Sequence, residues 1–202
     1  PERSDRLQAC VSALKSCEFS NQLSWKNPRH TLENELEWIH TKKHIKHIKS
    51  ICDLGGGHID PDTIVCPESY NIALKSAGAW LDAVDEVIKG NSAFVLSRPP
   101  GHHAESNRAM GFCLFSNAAL AAVYALKQSG INKVGIFDWD VHHGNGTQNI
   151  VQSNPDIAYT SIHQFPFYPG TGSQLEKGDY NNVLNIPIPA NLDRNKYMQK
   201  FN

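Results

Sequence analysis

No two cysteines in this sequence are spaced as CxxC. Cys10, Cys17, Cys52, Cys66 and Cys113 stand apart and are odd in number, which excludes a fully paired disulfide framework. A reducing compartment is the simplest expectation: cytoplasm, or nucleus in a eukaryote. No apolar run nears the ~20 residues that cross a bilayer and none resembles a signal peptide, so no membrane association is expected. Neither sign of charge is in excess: 19 Lys and Arg against 20 Asp and Glu leave −1 at pH 7, which offers no footing on a phosphate backbone and excludes nucleic acid as an expected direct partner. Internal repeats and low-complexity tracts are absent. An initiating methionine is missing too. The chain opens on PERSDRL, and its last stretch, NLDRNKYMQKFN, begins a loop and helix and stops. Residues 1–202 are therefore expected to be one partial domain cut from a longer protein.

What is present suits a packed core: 40% hydrophobic and 19% charged residues. Residues 4–17 predict a short amphipathic helix with Leu7, Val11 and Leu14 on one face. Residues 31–52 predict a basic helix that turns Ile45, Ile48 and Cys52 inward. His44 and His47 lie in its HIKHIK stretch, but the interleaved lysines suit a solvated face rather than a cation site. CDLGGGHIDPDT reads as a loop. A long helix is predicted over 69–89, capped by Ser69 and ended by Gly90, with Ala73, Ala77, Leu81, Val84 and Ile88 in a stripe. A second helix is predicted over 117–128. SAFVLS, KVGIFDWD, IAYTSIH and NVLNIPI read as buried strands. Continuous apolar strands alternating with helices indicate a parallel sheet covered on both faces, and ligands in such sheets bind beyond the carboxyl ends of the strands. That places Gly101-His102-His103, Asp138 to His143, and His163 near one another.

The run FDWDVHHGNG carries the densest chemistry. On an extended strand Asp138, Asp140 and His142 share a face, opposite Trp139 and Val141. Two carboxylates and an imidazole are costly to bury without a neutralising cation, and the run holds no Lys or Arg to make it a salt-bridged strand end. Oxygen and nitrogen donors without sulfur suit zinc, manganese or ferrous iron. Asp140 and His142 supply two ligands, and Asp138 is either a third or a group that steadies a histidine. The tandem His102-His103 follows a rigid RPPG turn. Beside a metal-bound water, two histidines provide a proton acceptor and a proton donor for hydrolysis. A carboxylate behind one imidazole raises its pKa and sets its tautomer, and Asp138 is the natural candidate. Neutral Asn145 is placed to orient the other with less effect.

With those residues in view, RPPGHHAESNRAMGFCLFSNAALAA, GIFDWDVHHGNGTQ and SIHQFPFYPGTG resemble the zinc-dependent histone deacetylase family, particularly class II-like enzymes and their bacterial deacetylase and acetylpolyamine amidohydrolase relatives. PERSDRL and GGGHIDPDT match in the same order, so the resemblance spans about residues 1 to 190. It implies a three-layer arginase/deacetylase-like α/β fold, here incomplete, with a mainly parallel central sheet flanked by helices. It implies removal of an acetyl group from an acetyl-lysine-type amide by a zinc-activated water. Asp140 and His142 would then be zinc ligands, and His102 and His103 an acid/base pair backed by Asp138 and Asn145 respectively. Phe112 and Tyr168 would wall a narrow tunnel, and phenylalanine is the commoner residue at the Tyr168 position. Gly111 would offer its carbonyl to the amide N–H, and Asp62 is a weaker candidate for gripping substrate backbone at the rim. Potassium is expected near Asp138, Asp140, His142, Ser161 and Ile162. Ureohydrolase cousins bind two manganese ions through Asp-x-His-x-Asp. Here the final position is Gly144, which favours one metal.

The family's third zinc ligand is a downstream aspartate, and its oxyanion-steadying residue lies later still. Asp193, the last aspartate, sits too early to match. The chain alone is therefore expected to bind zinc weakly and to turn over little substrate, and an incomplete sheet is expected to expose an edge and apolar surface. An acetylated lysine in a protein or peptide and an acetylated small amine both fit as substrate. A non-catalytic binding module is the third alternative.

Overall fold

The computed structural model describes residues 2–201; Pro1 of PERSDRL and the terminal Asn202 lie outside them. In chain order the elements are α1 (Ser4–Ser16), a 3₁₀ turn (Ser20–Gln22), α2 (Glu33–Leu36), α3 (Lys42–Asp53), β1 (Gly57–His58), β2 (Ile64–Val65), α4 (Ser69–Ile88), α5 (Asn117–Leu126), β3 (Val134–Asp138), α6 (Asn145–Val151), β4 (Ile157–Gln164), β5 (Val183–Ile188) and α7 (Arg194–Phe201). Strands β3, β4 and β5 form a parallel sheet in that order, and the register sets Asp138 opposite Ser161 and His163 opposite Pro187. Helix α4 packs on α5, α5 on β3, and α6 on β4. This is the α/β architecture that the pattern of apolar strands and helices implies. No described helix is long and apolar enough to cross a membrane.

The core follows the helical stripes. Ala73, Ala77 and Leu81 of α4 are buried with Leu120 of α5, Phe115, and Ile157 and Tyr159 of β4. The stripe fails at its last turn, where Ile88 is exposed. Ser69 does not cap α4 by side chain: Glu68 holds that position, and the Ser69 hydroxyl instead accepts the Cys66 N–H at 2.9 Å. Gly90 follows the helix with positive φ, the conformation that ends helices most readily. The basic helix expected over 31–52 is broken. Residues 37–41 leave the helical path, and Thr41 starts α3 by accepting the His44 N–H.

Two further expectations are corrected by packing. SAFVLS forms no strand: residues 91–97 have no ladder partner among the described residues, and Phe94 is 77% exposed. An apolar run becomes a strand only when a neighbour takes its N–H and C=O groups. Strand β3 is not buried on both faces. Its Phe137 is exposed and meets Phe201 of α7 edge-on at 5.2 Å, and Trp139 just beyond is more exposed still. The GGGHIDPDT loop also carries one strand of the small β1–β2 hairpin.

His44 is not on a solvated face. It is buried, with its Nε2 2.9 Å from the Leu114 carbonyl, edge-on to Phe115 and beside His40. His47 is exposed. His40 Nε2 accepts the Ser116 N–H, so Nδ1 carries the proton and donates to the Glu105 carbonyl at 3.0 Å. Burial, and then neighbouring His44, hold His40 down to about 3. The unfolded chain takes up this proton near pH 6.5, which the folded chain refuses. Stability is therefore full above about 6.5 and falls as pH drops toward 3, by about 1.4 kcal/mol per pH unit for such a group. His44, also lowered by burial, acts in the same direction. Urea unfolding at pH 7.5 and pH 5.0 checks this: the midpoint should move to lower urea at pH 5.0, and an unchanged midpoint would contradict it.

Candidate active site

Residues 98–104 reach the site through contacts made at both ends. Arg98 pairs with Glu2 at 2.5 Å, and the Pro99 carbonyl accepts from Ser76 Oγ and Asn117 Nδ2. Beyond the Pro-Pro-Gly turn, the His102 carbonyl accepts the N–H groups of Gly146 and Thr147 at 2.9 and 3.0 Å. Helix α6 thus begins on the histidine segment. A Cβ at Gly146 would lie well inside contact distance of the Ala104 carbonyl and the His103 backbone, so only glycine permits this approach.

That junction brings the two histidines to their partners. His102 Nδ1 lies 3.0 Å from Asp138 Oδ2, and His103 Nδ1 lies 2.8 Å from Asn145 Oδ1. The two rings are 4.0 Å apart between centroids. Their environments push them apart electrically. Burial works against charge on His102, but the hydrogen bond and charge of Asp138 outweigh it and raise its pKa. His103 has a neutral partner, and burial together with His102 holds it at about 4. Burial alone would raise the Asp138 carboxyl; the bonds from His102, the Asp140 N–H and the Tyr159 hydroxyl leave it below the usual carboxylate value.

Of Asp138, Asp140 and His142, only Asp140 and His142 bring their side chains together, and not along a pleat. Strand β3 ends at Asp138, and the chain bends through 140–142. Asp138 Oδ1 accepts the Asp140 N–H at 3.1 Å, and Asp140 Oδ1 accepts the His142 N–H at 2.8 Å. Short carboxylates that bind backbone N–H groups two residues on favour such turns over ladders. His142 Nδ1 is 3.2 Å from Asp140 Oδ1, and His102 Nε2 is 4.0 Å from the same oxygen. No Lys or Arg among the described residues pairs with Asp140. A half-exposed carboxylate and an imidazole nitrogen, side by side without a protein cation, are a donor set that suits zinc. Asp138 faces His102 and Tyr159 instead, and among the described residues no three acidic, His or Cys side chains assemble as a complete metal shell. Gly144 is constrained by more than its lack of a ligand: a Cβ there would press on Asp138 Oδ2 and the Tyr159 hydroxyl.

Around this centre, His103 stands edge-on to Tyr168 at 5.1 Å, and His142 to the same ring at 5.7 Å. Phe112 adopts a left-handed φ of 65°, unusual for a bulky residue, and its N–H donates to Thr63 Oγ1 at 3.0 Å. The Gly111 carbonyl accepts from buried Cys113 Sγ at 3.3 Å. Asp62 lies beside Thr63, so the rim candidate Asp62 is a neighbour of Gly111 and of the tunnel-wall candidate Phe112. Burial and a hydrogen bond to Asp60 push the Asp62 carboxyl up. Ser161 and Ile162 are buried across the sheet from Asp138, and the Ser161 hydroxyl meets His163 Nδ1 at 2.9 Å. His163 is buried and bonded to the Gly172 carbonyl, so it belongs to the supporting layer. His143 is buried there as well, between Thr171 and Gln148. A cavity of about 330 Å³ lies between Val141, Ile188 and Tyr197, and neither His102 nor His103 lines it.

Two residues of the site were not singled out in the sequence. Phe167 stacks on His142 at 5.0 Å and 9°. The Tyr159 hydroxyl lies 3.2 Å from both Asp138 Oδ2 and the Gly144 carbonyl. The one available signal for Tyr159 was its place in a buried strand, since a buried tyrosine hydroxyl needs a partner.

A family model described as "Histone deacetylase domain" matches residues 1–202. An uncharacterized protein of Synechocystis is 46% identical over 205 residues, covering 100% of this chain and 67% of its own length. The histone deacetylase-like amidohydrolase of Pseudomonas aeruginosa is 36% identical over 205 residues, covering 98% of this chain and 53% of its own. The crystal structure of the HDA15 HD domain superposes with a TM-score of 0.86 at 39% identity, over 93% of this chain and 55% of that one. The chain thus spans about half to two thirds of these relatives.

Proposed function

This chain belongs to the histone deacetylase family, and on that premise we propose that its site hydrolyses an acetyl-lysine-type amide with zinc as cofactor. The observation that carries the proposal is the tandem histidine pair. Two adjacent imidazoles, one hydrogen-bonded to a carboxylate and the other to an amide, lie beside an Asp140–His142 donor pair. Zinc held there, with Asp140 and His142 as two of its ligands, supplies Lewis acidity that polarises the carbonyl and eases ionisation of water. Burial and neighbouring His102 disfavour charge on His103, and its Nε2, which has no partner among the described residues, accepts the proton of the attacking water. His102, whose charged form Asp138 favours, holds a proton for the leaving amine. Tyr168 and Phe112 flank the lysine stem, Gly111 offers its carbonyl to the amide N–H, and Asp62 stands at the rim. Potassium is proposed near Asp138, Asp140, His142, Ser161 and Ile162 at the carboxyl ends of β3 and β4, held partly through backbone carbonyls.

The test is acetate release from an acetyl-lysine peptide by the full-length protein that carries this sequence. Zinc-loaded protein should turn over and chelator-treated protein should not; inactivity with zinc bound would overturn the proposal. An acetylated polyamine run in parallel separates the two substrate classes. The 202 residues by themselves, with two donors, should bind zinc weakly and release little acetate.

A further inference from the structure

Beyond the paired groups lies a carboxylate that the mechanism above does not use. We infer that Glu105 is a positioning residue: acting through Asn145, it holds His103 in the Nδ1–H tautomer and leaves Nε2 free as the proton-accepting edge. The inference rests on the reading of His103 as proton acceptor.

The amide of Asn145 can face His103 either way round. With Oδ1 toward the ring it accepts a proton from Nδ1; with Nδ2 toward the ring it donates to Nδ1 and forces the proton onto Nε2. Those two states make His103 an acceptor or a donor toward the site. The second end of the amide decides. Asn145 Nδ2 donates to Glu105 Oε1 at 2.8 Å, and an ionised carboxylate only accepts. A flipped amide would set two acceptor oxygens against each other in a nearly buried place, since Asn145 is 7% exposed. Oδ1 therefore faces His103 Nδ1, at 2.8 Å. The Met110 sulfur, 3.5 Å from Nδ2, is a further weak acceptor that favours the same orientation.

Glu105 is itself held. Its N–H donates to the Arg108 carbonyl at 2.9 Å, and its carbonyl accepts the His40 Nδ1–H at 3.0 Å. The same contact bears on why an amide rather than a carboxylate backs His103. Aspartate in place of Asn145 would bring a second carboxylate against Glu105, and two carboxylates at that distance do not both ionise readily. With Glu105 present, the amide is the group that fits.

The test uses the full-length, zinc-loaded protein and two near-isosteric changes. Two-bond ¹H–¹⁵N imidazole spectra report the His103 tautomer, with the signals assigned by loss in His103→Gln. Steady-state kinetics on an acetyl-lysine peptide report kcat and KM. A glutamine amide donates as well as accepts. Glu105→Gln should therefore let the Nδ1–H form lose its dominance and lower kcat about 10-fold at unchanged KM, the lower end of what lost supporting hydrogen bonds cost. Asn145→Asp should lower the melting temperature. In the Asn145→Asp/Glu105→Gln double variant, a carboxylate again accepts from Nδ1–H and an amide again backs it. That protein should show only the Nδ1–H form, with kcat and melting temperature both returning toward wild type. A wild-type tautomer and kcat in Glu105→Gln, or a double variant no better than Glu105→Gln, overturns the inference. If no variant and not even the wild type releases acetate, the proposed function fails, while the imidazole spectra still decide the role of Glu105.

Discussion

Replacement of His103 by alanine in the full-length protein is expected to lower acetyl-lysine turnover about 10²- to 10⁴-fold, the usual contribution of a positioned acid/base group. Bound zinc should stay nearly unchanged. His103 makes its side-chain hydrogen bond to Asn145 and approaches His142 only ring to ring at 5.8 Å. Removing it deletes the proton acceptor without deleting a donor atom. Asp140→Ala should do the reverse and lose metal together with activity. Metal content by elemental analysis beside kcat on the same samples distinguishes the two outcomes. Zinc lost from the His103 variant would mean that His103 is a ligand and that its assigned role is wrong.

The second large effect is on stability. Gly146→Ala should destabilise the fold by on the order of 3 kcal/mol, the upper part of the range for forced overpacking, and lower the melting temperature by about 10 °C for a chain of this size. The obstacle is backbone, the Ala104 carbonyl and the His103 main chain, so no rotamer change relieves it. Moving α6 away would break both N–H contacts to the His102 carbonyl and separate His103 from Asn145, so activity should fall with stability. Gly135→Ala on β3 is the control: its Cβ would meet nothing within 4 Å, and the melting temperature should barely move. Equal melting curves for the two variants would refute the close approach.

Local patterns carried most of the architecture because helices and strands have fixed side-chain periods. The α4 stripe of Ala73, Ala77 and Leu81 is buried as its spacing predicts, and β4 and β5 lie where their apolar runs are. The pattern misled where pairing or solvent exposure decided. SAFVLS found no ladder partner, and HIKHIK hid one histidine, because His44 lies one residue before Ile45 on the flank of the helix that meets Phe115. The expected shared face of Asp138, Asp140 and His142 is broken by two carboxylate-bound turns, which leave Asp140 beside His142 and turn Asp138 to His102.

The groups on which the proposed chemistry rests were written in the sequence, since residue type and spacing alone supply a tandem imidazole and a carboxylate-imidazole donor pair. The resemblance named the partner of each imidazole, but only tertiary structure brings them together: His102 and Asp138 are 36 positions apart, and His103 and Asn145 are 42 apart. Tertiary structure also decided the place of Glu105, 40 positions from the amide it meets, and of Tyr159, which meets Asp138 from the next strand. A hydrogen bond reads distance and angle in space, which spacing along the chain sets only within a single turn or strand. Across a loop, the packing of α6 on the histidine segment brings donor and acceptor together.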